Sequence, residues 1–174
     1  MLFRSEKNPE LDPQEMQTIA EAVALGSIKY PMLARENTKM VTFDWESALD
    51  FNGQSAPYIQ YAHVRANSIL RKAGLEQPEV PQFNYYLQTS EINLIELLAR
   101  LPDEIQRAAK ELKPSLVANF AYDLAKAFND FYNQCPVLNA EPAIRAARLA
   151  LVAAARTCLA KVLDLMGIRA PEVM

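Results

Sequence analysis

Glycine is scarce in this sequence, 4 residues in 174, which leaves too few turn formers for a loop-rich β protein. Gly26, Gly53, Gly74 and Gly167 each stand alone, so no glycine-rich phosphate loop exists and nucleotide chemistry of that kind is excluded. There is a single histidine, His63, with no acidic partner at metal-binding spacing, and a lone helical histidine reads as a structural or surface group. The 2 cysteines, Cys135 and Cys158, have no ligand spacing and read as reduced thiols of a cytoplasmic protein. Acidic side chains are dispersed over polar faces, so no metal site is expected. No serine sits in a nucleophile turn, and no catalytic residue set emerges. No apolar run is long enough to cross a bilayer, and no signal peptide opens the chain. Eighteen basic residues face 21 acidic ones, a formal charge of −3, so any nucleic-acid binding needs a local patch.

What remains is apolar and helical. Half the sequence (51%) is hydrophobic, enough for a sizeable core, and the pattern favours an all-α bundle. The strongest element is a helix expected over Glu141 to Met166, with Ile144, Leu151, Ala155, Leu159, Val162 and Met166 on one stripe. Leu149, Val152 and Leu163 widen the stripe until the helix must be enclosed by neighbours at the centre of a bundle. Pro142 suits its first turn and Gly167 its C-terminal cap. Arg145, Arg148 and Arg156 share an arc of roughly 80° on it, a cationic ridge for an anionic partner.

Upstream, residues 1–11 are polar and carry no period. Asp12-Pro13 starts a helix that runs to about Gly26, with Ser27 to Leu33 as an added turn. Met40 to Trp45 reads as a short strand or extended crossing segment, and Asp50 to Gln54 as a turn. Ser55 caps a helix to about Ala73, on which Tyr61, Arg65, Ser68 and Lys72 fall on one stripe. Gly74 to Ser90 is expected to be a long exposed loop. Ser90 caps a further helix that Pro102 interrupts, a second segment follows through Leu112, and Pro114 marks the next break. Leu116, Val117, Phe120, Leu124, Phe128 and Phe131 then form a clean amphipathic stripe with Tyr132 on its shoulder.

Aromatic rings beside cations offer base stacking next to phosphate contacts. Tyr61, Arg65 and Lys72 make such a set, and Tyr132 with the arginine ridge extends it. The same spacing also fits half-buried packing tyrosines and solvated arginines, so spacing alone leaves both readings open.

Longer phrases add to this. Phe51-Asn52-Gly53-Gln54-Ser55-Ala56-Pro57-Tyr58-Ile59-Gln60-Tyr61-Ala62-His63 resembles the opening of the anticodon-binding domain of arginyl-tRNA synthetases, and Val41-Thr42-Phe43-Asp44-Trp45 is similar to the phrase before it. Leu116 to Ala125, Phe128 to Tyr132, Cys135-Pro136-Val137, Arg145 to Leu151 and Leu165 to Met174 follow in the family's order. Asn52, Gln54-Ser55 and Val173 depart from its commoner residues.

The resemblance implies the helical bundle of the class I synthetase anticodon-binding type. Residues 1–50 would join it to a catalytic domain, and 51–174 would be the anticodon domain itself. The family activates arginine with ATP and attaches it to the arginine tRNA in a Rossmann domain with His-Ile-Gly-His and Lys-Met-Ser-Lys-Ser signatures. Neither signature occurs here, so the resemblance implies no catalytic residue and no cofactor in this chain, with ATP and arginine bound elsewhere in the full enzyme. The implied partners are the anticodon stem–loop of the arginine tRNA and the enzyme's own catalytic domain. The implied contacts are Tyr61, Arg65, Tyr132 and the main chain at Met174, with Lys72, Arg145 and Arg148 as candidate phosphate contacts. A free-standing synthetase-derived protein-interaction module, or a structural module without tRNA contacts, is the alternative.

Overall fold

A computed structural model describes residues 12–36, 38–74 and 85–174. Among these there are six helices and no strand: α1 (Pro13–Leu33), α2 (Trp45–Ala48), α3 (Ala56–Ala73), α4 (Thr89–Glu111), α5 (Pro114–Gln134) and α6 (Pro142–Leu165). The expected loop over Gly74 to Ser90 falls mostly on residues 75–84, outside the described residues, as do residues 1–11.

The centre is where the apolar stripes put it. α6 packs against α3, α4 and α5, and α5 also touches α1 and α3. Leu124, Phe128 and Phe131 of α5 and Val152, Ala155, Leu159, Val162 and Leu163 of α6 are fully buried. Burial of each large side chain contributes about 1.5–3 kcal/mol relative to exposure. Pro142 occupies the first turn of α6, and Gly167 follows its last turn at φ 64, the left-handed conformation that favours glycine.

α1 runs past Gly26 and through Pro31 to Leu33, so the added turn expected over Ser27 to Leu33 is part of it. Asp12 starts it with a capping box, accepting from the amides of Gln14 (2.6 Å) and Glu15 (2.9 Å). At Gly26 a Cβ would lie 3.1 Å from the Ala56 Cβ and 3.2 Å from an Ile168 methyl carbon, so glycine lets α1 approach α3 and the C-terminal segment closely. Tyr30, 1% exposed, donates its hydroxyl to the Ala118 carbonyl of α5 (3.2 Å), which fastens α1 into the bundle.

Pro102 likewise does not break its helix, since α4 runs unbroken from Thr89 to Glu111. A proline inside a helix forfeits one backbone bond, and packing of Leu94, Leu101 and Ala108 on α5 and α6 outweighs that loss. The cap is Gln88 rather than Ser90: Gln88 and Glu91 form a capping box, and Ser90 is buried inside the first turn. Finally, Met40 to Asp44 is no strand; it is an irregular segment leading to the one-turn α2, capped by Asp44 through the Ser47 amide (2.8 Å).

Candidate nucleic-acid interface

α3 carries the first half of the site. Ser55 caps it by accepting from the Tyr58 amide (3.2 Å), and Gly74 ends it at φ 70. Its apolar positions turn inward, which leaves Tyr61, Arg65, Ser68 and Lys72 along the outer stripe. α5 carries the second half, because the stripe that buries Phe128 and Phe131 leaves Asn129 and Tyr132 on the flank facing α3.

The two halves meet at Arg65. Its guanidinium carbon lies 4.9 Å from the Tyr61 ring centroid and 4.8 Å from that of Tyr132. Arg65 Nη1 donates to Asn129 Oδ1 at 2.6 Å, which ties the fork to α5 between the two rings. Phe51 meets Tyr61 edge-on, with centroids 6.5 Å apart. Tyr61 and Tyr132 remain 38% and 41% exposed, so each still presents ring surface to solvent. Part of that surface is already covered by Arg65, so packing and stacking are both present in one cluster.

Beside Arg65 and Tyr132 lies an open groove of about 400 Å³ between α3 and the connection from α5 to α6. Lys72 and Ser68 line its α3 side, and Asn133, Pro136, Val137, Leu138 and Asn139 the other. Helical spacing alone puts Tyr61, Arg65 and Lys72 on one stripe. It does not single out Asn129, although a spacing of three from Tyr132 puts the two on one face of α5.

The arginine ridge of α6 does not survive as a shared exposed surface. Arg148 is buried at 5% exposure and ion-paired with Glu91 of α4, Nε to Oε1 at 2.9 Å. Its Nη1 donates to the Pro136 carbonyl at 2.8 Å. A guanidinium committed in this way is a structural group, and the phosphate contact expected of Arg148 is corrected accordingly. Arg145 is half-buried with its Nε enclosed, and Arg156 lies close enough for His63 to feel its charge.

Glu91 accepts from Tyr85 and the Gln88 amide as well as from Arg148 (2.8, 2.8 and 2.9 Å). Burial opposes its ionisation, but these bonds outweigh burial and hold its carboxyl below the ordinary glutamate range. Burial and the Glu91 carboxylate push the Tyr85 phenol up to about 12.

The C-terminal segment is held by main-chain carbonyls. Lys29 Nζ donates to the Gly167 carbonyl, Gln60 Nε2 to that of Arg169 (2.9 Å), and His63 Nδ1 bonds that of Pro171 (2.9 Å). Burial, with a smaller push from Arg156, lowers the His63 pKa, so the ring is the neutral donor to Pro171. His63 is thus structural, as its isolation in the sequence indicated. Gln60 and His63 lie roughly 150° around α3 from Tyr61 and Arg65, so the segment reaches α3 on a different side from the tyrosines. Met174 and Val173 are half-buried at its end.

Among the described residues no group of His, Cys, Asp and Glu forms a metal site, and no helix is long and apolar enough to cross a membrane. Residues 59–174 match the family model described as the DALR anticodon binding domain. The chain is 44% identical over 165 residues to the arginine–tRNA ligase of Haloarcula marismortui, covering 95% of this chain and 28% of that protein. It is 46% identical over 177 residues to that of Pyrococcus furiosus, covering 97% and 28%. Thermus thermophilus arginyl-tRNA synthetase superposes with a TM-score of 0.89 at 39% identity, over 98% of this chain and 29% of that one. The chain therefore spans under a third of the length of these relatives. The match over α3 to the C-terminal segment, carried by the elements that build the Arg65 cluster, means that this chain belongs to the DALR anticodon-binding domain family, in the form found in arginine–tRNA ligases.

Proposed function

We propose that the chain holds the anticodon loop of the arginine tRNA for an arginine–tRNA ligase, in which ATP and arginine are bound by a catalytic domain that residues 1–50 join to this one. The observation that carries the reading is Arg65, fixed between two partly exposed tyrosines from different helices. Unstacked loop bases have flat π faces, and proteins hold them on tyrosine rings and guanidinium planes next to cations for the backbone. The family of the chain and of its relatives supports this reading over a free-standing protein-interaction module. Two free thiols, Cys135 and Cys158, accord with a cytoplasmic setting.

Titrating the anticodon stem–loop of the arginine tRNA into this chain tests the proposal. Tyr61→Ala is expected to weaken binding by about 1–3 kcal/mol, one stacked base. Tyr132→Phe keeps the ring and should cost less. Binding should fall with salt, with a modest slope set by a few phosphate contacts from Lys72, Arg65 and Arg145. Equal binding by wild type and Tyr61→Ala, with an unchanged unfolding midpoint, would refute the stacking role.

The main chain at Met174 is proposed to border a base. Three carbonyl bonds hold the segment as far as Pro171, so removing Glu172 to Met174 leaves them in place. Such a truncation is expected to lose RNA affinity while its thermal midpoint shifts little. A lower midpoint with affinity lost only through unfolding would make these residues a plug for the core.

A further inference from the structure

We infer that the groove next to the Arg65 cluster is a second nucleotide seat. It takes one unstacked base against Pro136 and Leu138, with Asn133 and Asn139 on the base edge and Lys72 on its phosphate. The inference rests on the reading of the cluster as an RNA site and adds a position to it.

The lining carries the argument. Pro136, exposed, and Leu138, half-buried, give the groove apolar ground above the buried Ile69 and Val137, while Ser68, Lys72, Asn133 and Asn139 put polar groups around it. An aliphatic side chain would use the ground and leave the amides idle. A free phosphate would use Lys72 and shun the ground. A heteroaromatic base matches both, since its face is apolar and its edge alternates donors and acceptors, as a primary amide also does. Arg65 and Tyr132 line the same groove, so a base stacked at the cluster and one seated here would belong to neighbouring stretches of one strand.

The far wall is also built in advance. The Cys135 amide bonds the Phe131 carbonyl (2.8 Å), Ser90 Oγ meets Cys135 Sγ (3.3 Å), and Arg148 holds the Pro136 carbonyl from behind. A wall fixed by buried groups need not be ordered at the moment of binding, which lowers the cost of seating a ligand.

The experiment pairs protein variants with abasic RNA. Wild type, Asn133→Ala/Asn139→Ala and Tyr61→Ala are each titrated with the arginine tRNA anticodon stem–loop and with versions abasic at one loop position at a time. The asparagine double variant should bind the intact loop roughly 5- to 150-fold more weakly, the range of one base read by hydrogen bonds. It should also be indifferent to one abasic position that weakens wild type, whereas Tyr61→Ala remains sensitive there. Lys72→Gln should lower the slope of log affinity against log salt by about one. Both asparagines are exposed, so unfolding midpoints should match wild type. An asparagine variant as sensitive as wild type at every abasic position overturns the seat while leaving the tyrosine site intact. Insensitivity of all variants, Tyr61→Ala included, overturns the seat and the anticodon reading together.

Discussion

Arg148→Ala is expected to lower the free energy of unfolding by about 3–5 kcal/mol, because it strands a charge in the core. Glu91 has no exposed surface, and two of its three hydrogen-bond partners, Tyr85 and the Gln88 amide, cannot neutralise it. The substitution also frees the Pro136 carbonyl and so loosens the connection between α5 and α6. Urea unfolding followed by circular dichroism should show a lower midpoint at unchanged slope. Replacing both partners, Glu91→Leu with Arg148→Met, should recover much of the loss, since neither charge then remains buried. A drop below about 1 kcal/mol for Arg148→Ala would show that water reaches Glu91 and that the pair is not what anchors α4 to α6.

The same pair sets a pH dependence. Glu91 is more acidic folded than unfolded, so the unfolded chain binds its proton first as pH falls. The contribution is complete above the ordinary glutamate pKa of about 4.3 and disappears as pH drops through the lower folded value. His63 acts in the same direction at higher pH. Its folded pKa is depressed, so stability is lost as pH falls below the unfolded value of about 6.5. Stability of the wild type should therefore decline from neutral pH downward in two stages, and Glu91→Gln should shrink the more acidic one. Asp44 and Glu111, also held below their ordinary values by hydrogen bonds, contribute less to that stage because they are exposed.

The helical core was legible because local spacing decides it. Phe120, Leu124, Phe128 and Phe131 can face only one way on a helix, and they do. Pro102 was over-read: it withholds one backbone bond from α4, a local loss that tertiary packing exceeds. Charge was misread for a related reason. A helical wheel gives the direction of Arg148 but not its partner, and Glu91 lies 57 residues away. Tyr61 and Arg65 were legible as neighbours one turn apart, yet their junction with Tyr132 and Asn129 depends on how α3 meets α5. Periodicity offered Tyr132 as a shoulder residue extending the stacking set, and the resemblance to arginyl-tRNA synthetases implied its RNA contact.

That junction makes Arg65 the residue whose loss should cost most RNA affinity. Arg65→Ala is expected to weaken binding of the arginine tRNA anticodon stem–loop by about 2–3 kcal/mol, or 30- to 150-fold. It removes a cation from the RNA surface and also the plane that holds Tyr61 and Tyr132 at a common spacing. The effect on folding should be smaller, about 1–2 kcal/mol, since each cation–π contact at a partly exposed site contributes about 0.5–1 kcal/mol. Arg65→Lys separates the two roles. An ammonium keeps the charge, and with it the salt slope, but has no plane to stack and no fork to meet Asn129. Lysine should therefore restore only part of the affinity lost in alanine. If lysine binds as tightly as arginine, Arg65 is a point charge and the tyrosines stack without its help. If alanine binds as tightly as the parent, the cluster is packing between α3 and α5, and the RNA is held elsewhere.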